Sequence, residues 1–380
     1  MKPLKILSIN DSYEGGGAEL VFQKTAQLLR EGGHKVHLFA EKAFPHPHWK
    51  DVFHYIFSLR LHRKLKKNIQ SFSPQIVHIH NFYHNLSPAL LYYLMRWKKK
   101  ANFKVIMTVH DYHFLCANNG GICWKKHLPQ ICEDCRDRKY HHILLKQCDP
   151  RGFAVNTLKF LQHFISYKLF NFEKAIDCFI VPSEYLRQRL SSFCEKGKIS
   201  VINNPVFDFD TQKKTIFTLA KSIKHNFESI YIGRLAPEKG LEHFINKDYN
   251  PKTFGKFAIV GSGEPHYIEK LKTLVKEKRF HQDVLFLGKK SHIETFALLS
   301  KADRLIFSSL WAENCPLSVL EARILGKEVF HYGLGSIKEM LSLDIKLLSE
   351  NIYYTRLLKT IEQLQPSMAK DSTLQNMFPS

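Results

Sequence analysis

The sequence predicts an α/β protein made of two successive units, each with a parallel sheet. Three observations carry this. Short apolar runs alternate with helical stretches, a glycine turn follows the first run directly, and the rhythm pauses near residue 205 before starting again.

Taken in order, LKILSI (4–9) predicts a strand, and EGGGAE (14–19) turns the chain. Residues 18–31 predict a helix, with Leu20, Val21, Ala26, Leu28 and Leu29 on its apolar side. HKVHLFA (34–40), QIVHIH (75–80), FKVIMTVH (103–110) and CFIVPS (178–183) predict further strands. After NNPVFDFDTQKKT come SIYIGRL (229–235), KFAIVGSG (256–263), DVLFLG (283–288) and DRLIFSS (303–309). The domain boundary is expected within 205–225, and 380 residues suit two cores rather than one.

No apolar run approaches the length that spans a bilayer. The start, MKPLKILSIND, has the pattern of a strand rather than a signal peptide. Eight cysteines are too few for a disulfide scaffold and fit a reducing compartment, so a cytoplasmic setting is expected. Lysine and arginine number 56 against 35 acids, a net charge of +21. That balance suits a polyanionic partner: nucleic acid, an anionic membrane face or a phosphorylated small molecule. The basic runs RLHRKLKK (60–67) and RWKKK (96–100) are either solvated helix faces or a foothold on anionic lipid, where each cation contributes about 1 kcal/mol.

The chemistry concentrates in SSLWAENCPLSVLEARILGKEV (308–329). A strand leads to a loop, Pro316 suits a first helical turn and Gly326 closes the helix. The helix start near Asn314, Cys315, Leu317 and Ser318 is an anion site, with Pro316 lacking an N–H. Glu321 falls inside the helix, within reach of a ribose diol whose phosphates lie at the terminus. Glu313 lies ahead of the terminus, where a sugar beyond the phosphates would sit. In GRLAPEKG (233–240), Arg234 and Lys239 follow a strand's carboxyl end, where two cations could neutralise a diphosphate leaving group. Gly15, Gly16 and Gly17 allow close approach to a phosphate or form only a turn. Glu41 ends the second strand as a ribose acid would, but the third glycine of a dinucleotide fingerprint is missing, which weakens an NAD reading. His110 and Asp111 end a strand of the first half as site residues or satisfied edge residues. His78, His80 and His84 read as structural.

Together these residues resemble the retaining glycosyltransferases of family 4 (GT4), which have the GT-B fold and include bacterial polysaccharide and lipid glycosyltransferases. The similar stretches are GGGAE (15–19), QIVHIHN (75–81), VHDYHFLC from Val109, FIVPSEYLRQRL (179–190), VINNPV (201–206), IGRLAPEKGLEHFI (232–245), IVGSGEP (259–265), VLFLGKK (284–290) and Glu313-x7-Glu321. The resemblance implies two Rossmann-like domains facing a central cleft: an acceptor domain over 1–205, a nucleotide-sugar domain over 206–360, and a segment 361–380 returning to the first. It implies Glu313 at the donor sugar, Glu321 on the ribose, Arg234 and Lys239 on the diphosphate, and His110 at the donor sugar and acceptor side. Gly16 and Gly17 would meet donor phosphates or acceptor, and Gly261 and Gly263 would shape the nucleotide-facing edge. It implies retention of configuration with no divalent metal required. A nucleotide-sugar would be the donor, a glycan or polyprenyl-linked molecule the acceptor, and the inner face of the cell membrane a peripheral setting. Asn314-Cys315-Pro316 replaces the commoner glycine-containing run, and GLGSIKEM (333–340) only loosely matches the family's glycine-rich loop.

Residues 116–148 form a cysteine-containing insert in the first domain, expected as a lid beside the acceptor site. Cys116, Cys123, Cys132 and Cys135 are candidate ligands of a structural zinc, or else packing or redox-sensitive thiols. A sugar-nucleotide epimerase is the nearest other enzyme class. Binding of nucleic acid, suggested by charge, has no zinc-finger, helix-turn-helix or RNA-binding motif behind it, so no nucleic-acid partner is expected.

Overall fold

The computed structural model describes residues 2–13, 15–41, 55, 58–83, 85–125 and 128–364. Glu14, His84 and the end of the chain past Leu364 lie outside the described residues.

The strands are β1 (Lys5–Asn10), β2 (Lys35–Ala40), β3 (Ile76–Ile79), β4 (Lys104–Thr108), β5 (Ile122–Lys125), β6 (Leu128–Ile131), β7 (Cys178–Val181), β8 (Ile199–Val201), β9 (Ser229–Ile232), β10 (Phe257–Val260), β11 (Val284–Gly288), β12 (Arg304–Phe307) and β13 (Glu328–His331). Six form one sheet in the order β2-β1-β3-β4-β7-β8, and five form another in the order β11-β10-β9-β12-β13. Every pairing in both sheets is parallel; β5 and β6 form a separate antiparallel hairpin.

Sequence pattern explains which strands are central. β3 (IVHI), β7 (CFIV) and β10 (FAIV) are buried at every position, as strands covered on both faces by helices must be. The edge strands β2 and β13 carry partly exposed residues. In each sheet the strand order reverses once, at β1/β3 in the first and at β9/β12 in the second. Ligands of open α/β sheets bind outside the carboxyl ends of strands at such reversals.

The chain forms two compact units. The first comprises the chain up to Gly121, Cys132–Asn203 and the helix Glu350–Leu364; the second comprises Ile122–Ile131 and Asn204–Ser349. The β5/β6 hairpin of the cysteine insert is grouped with the second unit. Residues 350–360, expected in the second domain, belong to a helix of the first. That helix buries Tyr353, Leu357 and Ile361 against Leu4, Ile6, Leu29 and Ile76, and the Tyr353 hydroxyl lies 2.8 Å from Thr25 Oγ1.

Leu357→Ala should therefore cost about 2–5 kcal/mol, the usual range for emptying a buried leucine site. Lys359→Ala, on the exposed side of the same helix, should stay within about 0.5 kcal/mol. Urea titration of both variants checks this; equal midpoints would remove the packing role of the helix.

Candidate active site

In the second unit the loops after β9 and β12 meet at the strand-order reversal. Gly240 has φ +70°, and a β-carbon on it would lie 2.0 Å from the Ser308 carbonyl oxygen. Only glycine permits that approach. The loops are then joined by two hydrogen bonds: Leu310 N–H donates to Glu238 O (2.9 Å), and Ser308 Oγ donates to Lys239 O (2.9 Å).

This closeness brings Lys239 Nζ to 2.6 Å from Glu313 Oε1. Ser309 Oγ donates to the same oxygen at 3.0 Å, and Lys239 lies over the Trp311 ring, 4.7 Å from its centroid. Glu313 is also fixed through its backbone. Its carbonyl accepts from Ser336 N–H (2.9 Å) and Ser336 Oγ (3.0 Å). Gly335 makes room for this at φ +73°, since a β-carbon there would fall 2.4 Å from the Glu313 carbonyl oxygen. The GLGS stretch is thus a clamp on Glu313. A largely buried ion pair adds little net stability, because desolvation offsets attraction. Removing either partner would leave the other uncompensated.

Arg234, five residues before Lys239, is exposed and pairs with Glu238 Oε1 at 2.5 Å. Gly261 and Gly263 act in β-sheet continuation. Leu235 N–H donates to Ser262 O (2.8 Å), and β-carbons at the two glycines would meet Gly233 O at 1.8 Å and Leu235 O at 2.0 Å. They let the strand ends run side by side past β9 and β10.

The helix Leu317–Ile324 begins one residue later than expected, with Pro316 as its N-cap rather than inside its first turn. Pro316 has ψ 119°, an extended conformation from which a helix cannot propagate. Asn314 is buried, and its carbonyl accepts from Ser336 Oγ. Burial pushes the Cys315 thiol up to about 12. Glu321 is buried in the helix, its Oε1 2.8 Å from His292 Nε2. His292 Nδ1 faces Asp208 Oδ2 at 4.0 Å. His292 opens the helix His292–Lys301, whose start is fixed by a Ser291/Glu294 capping box. The sequence reading did not single out His292, Ser309 or Ser336. The S-x-x-E box marks the helix start, but the contact with Glu321, 29 residues on, is tertiary.

In the first unit, Gly16 caps the helix Gly17–Glu31, and its N–H donates to Glu19 Oε2 at 2.8 Å. At the β1/β3 reversal Asn10 Oδ1 accepts from Asn81 N–H (2.9 Å), and Asp11 Oδ1 accepts from Asn85 and Leu86 N–H (3.0 and 3.1 Å). His80 Nδ1 lies 3.0 Å from His110 Nε2 with the rings stacked, and His78 Nε2 lies 2.8 Å from Thr108 Oγ1. Burial lowers His78 to about 3, His110 to about 4 and His80 well below its ordinary value. Burial raises Asp111 to about 7, opposed by the His113 N–H that donates to it. Glu41 is taken by Lys64 at 2.5 Å, and Lys98 of the second basic run by Asp177 at 2.7 Å.

Among the described residues no three His, Cys, Asp or Glu side chains converge as metal ligands, the insert's cysteines included. Cys135 S–H hydrogen-bonds to Cys116, which lowers the Cys116 thiol to about 7, while Cys132 donates to Asp134 at 3.3 Å. The C-x2-C pair is therefore split between two different partners.

The buried histidines set a pH dependence. Each is neutral when folded but takes up a proton when unfolded below 6.5, so stability falls as pH drops from about 6.5 toward about 4. Asp111 works in the opposite sense, costing stability as pH rises from 3.8 toward about 7. Three histidines outweigh one carboxyl, at up to about 1.4 kcal/mol per pH unit each. The urea midpoint should drop between pH 6.5 and 4, less steeply in His78→Asn; a flat midpoint would contradict the buried neutral cluster.

Residues 15–207 match the family model described as Glycosyltransferase Family 4, and residues 213–364 match Glycosyl transferases group 1. Anabaena Alr3699/HepE, solved in complex with UDP, is similar in structure at TM-score 0.57 and 16% identity, over 97% of this chain and 100% of that one. Sucrose-phosphate synthase from Thermosynechococcus elongatus gives 0.60 and 15%, over 97% and 92%. The lipopolysaccharide outer core galactosyltransferase WaaB gives 0.55 and 14%, over 95% and 100%. No curated protein matches in sequence. These likenesses identify the fold as GT-B. Since the family model spans just over half of its residues, the chain belongs to Glycosyltransferase Family 4.

Proposed function

We propose that the protein is a retaining glycosyltransferase that moves a sugar from a nucleoside diphosphate sugar to a glycan or polyprenyl-linked acceptor. The setting would be bacterial surface polysaccharide synthesis at the inner face of the cell membrane. The observation that carries the reading is the Lys239–Glu313 pair at the β9/β12 reversal, with Glu321 held by His292 in the helix that follows. The complexes of HepE with UDP and with UDP-glucose support a nucleoside diphosphate as the leaving group.

In this reading Glu321 accepts the ribose hydroxyls, and His292 is its positioning residue. Arg234 and Lys239 balance the diphosphate charge, a role that calls on no divalent cation. The helix start at Asn314, Cys315, Pro316 and Leu317 and the edge at Gly263 accommodate the phosphates and base. Glu313 supports the anomeric centre. The bond from the anomeric carbon to the diphosphate oxygen breaks, and its electron pair leaves with the phosphate. The acceptor oxygen attacks the same face, and its proton passes to the departing phosphate oxygen. His110, with Gly16 and Gly17, forms the first unit's share of donor and acceptor binding.

Glu313→Gln should keep nucleotide affinity within a few-fold while lowering turnover by about 10²–10³. Full turnover would refute its role. Glu321→Ala should weaken nucleoside diphosphate binding about tenfold. His292→Ala should share that loss of affinity without a matching loss of kcat, and both effects should vanish for a 2′,3′-dideoxyribose analogue. Unchanged affinity would remove the ribose assignment. A thermal-shift panel of UDP, GDP, ADP, CMP, their sugar conjugates, NAD and a DNA duplex identifies the donor base. Stabilisation by one nucleoside diphosphate, lost in Lys239→Ala, supports the transferase reading; a shift with DNA alone would overturn it.

A further inference from the structure

The helix Phe153–His163 and its π-helical continuation Phe164–Leu169, both in the first unit, are built inside out. Its buried side is polar. Asn156, Lys159 and His163, spaced by three and four residues, face inward together with Gln162, and all are buried. Its outward side is apolar: Phe153 is 62% exposed and Leu169 57%, with Leu161 and Phe164 also exposed between them. Phe170, at the end of the same stretch, is 55% exposed, and Leu145 projects from the short helix His142–Lys146 packed alongside.

The buried polar groups fix this orientation. Lys159 Nζ bonds Asn118 Oδ1 (2.6 Å) and Asp149 Oδ2 (2.8 Å). Asn156 exchanges hydrogen bonds with the Asp149 backbone, 2.9 Å in both directions. Gln162 Nε2 donates to Tyr55 O (2.7 Å), and His163 Nε2 lies 3.0 Å from His113 O. Turning the helix to hide its phenylalanines would strand all four groups without partners.

The charges around the apolar side are mainly cationic; the acid Asp134, outside the stretch, pairs with Lys146. Between His142 and Ile176 the acids are Asp149 and Glu173, both buried and paired with cations. The exposed charges there are Lys146, Arg151, Lys168 and Lys174. The helix Ala89–Ala101 ends beside this region, its Lys98 bonding Ala175 O at 3.0 Å and leaving Lys99 and Lys100 exposed. No described helix is long and apolar enough to cross a bilayer. A protruding apolar ridge flanked mainly by cations, Lys168 and Lys174 among them, has the chemistry of a segment lying in the interface of an anionic membrane, its lysines reaching the headgroups.

We infer that residues 145–170 form the face by which this protein docks on an anionic lipid bilayer, with Phe153, Leu161, Phe164, Leu169 and Phe170 entering the acyl boundary. The inference rests on the membrane setting proposed above and assigns it to one surface.

The test is co-sedimentation of the full chain with vesicles of equimolar phosphatidylcholine and phosphatidylglycerol, and with phosphatidylcholine alone. The wild type should partition to the anionic vesicles and be released by salt. Leu169→Ser/Phe170→Ser and Lys168→Glu/Lys174→Glu should each lower partitioning about tenfold or more. Both variants should keep the wild-type unfolding midpoint and circular dichroism, which excludes misfolding of the first unit, and the wild-type thermal shift with nucleoside diphosphate, which reports on the second. Wild-type protein that ignores anionic vesicles, or double variants that bind as well as wild type, would overturn the inference. So would concentration-dependent self-association abolished by Leu169→Ser/Phe170→Ser without vesicle binding, which would make the ridge an interface between copies. Vesicle failure with intact sugar transfer removes this surface and leaves the transferase reading standing; vesicle binding without any nucleotide response does the reverse.

Discussion

A β-carbon at residue 240 would stand 2.0 Å from the carbonyl of Ser308, and the rest of the second unit's site depends on its absence. The backbone contact between the loops after β9 and β12 is what sets Lys239 against Glu313. The same device recurs at Gly335, which admits the clamp on Glu313, and at Gly261 and Gly263, which let neighbouring strand ends continue in parallel. Two of these missing side chains, at Gly240 and Gly335, place two present ones, Lys239 and Glu313. In a protein with +21 net charge, Glu313 and Glu321 lie near the reversal of the parallel strand order, one held by a cationic partner and the other by an imidazole.

The first unit is organised by buried polarity instead. His78, His80 and His110 line up along the ends of β3 and β4 as neutral rings, and Asp149 with Lys159 and Asn156 forms a hydrogen-bonded network under the helix 153–169. Such networks contribute little net free energy when complete and cost much when broken. Their effect here is orientation: they determine which way helices and rings face.

The central strands were legible because strands buried on both faces are largely apolar runs, as FAIV and CFIV are and as IVHI is apart from His78. Glu313, Glu321, Arg234 and Lys239 were legible by their position after strands and inside a helix start. β8 and β13 were not, being short edge strands with partly exposed residues and no alternation. Pro316 was displaced by one residue because its extended ψ caps the helix rather than joining it. His292 had no local signal, since its partner is distant in sequence. Spacing alone does not give the partners of the cysteines: Cys132 and Cys135, with two residues between them, turn to Asp134 and Cys116. Hydropathy points the phenylalanines of 153–170 inward; only the partners of Lys159 and Gln162 reveal that the opposite face is anchored.

The carboxylate of Glu19 already occupies the start of the helix Gly17–Glu31, accepting from Gly16 N–H at 2.8 Å. The tether ties the first turn of the helix back onto the residue before it, so the place where the helix begins is set by a side chain three residues inside it. A backbone amide that no intrahelical carbonyl can reach is satisfied from within the same turn. The entropy of ordering that junction is therefore spent once, during folding, by a contact of very short sequence separation.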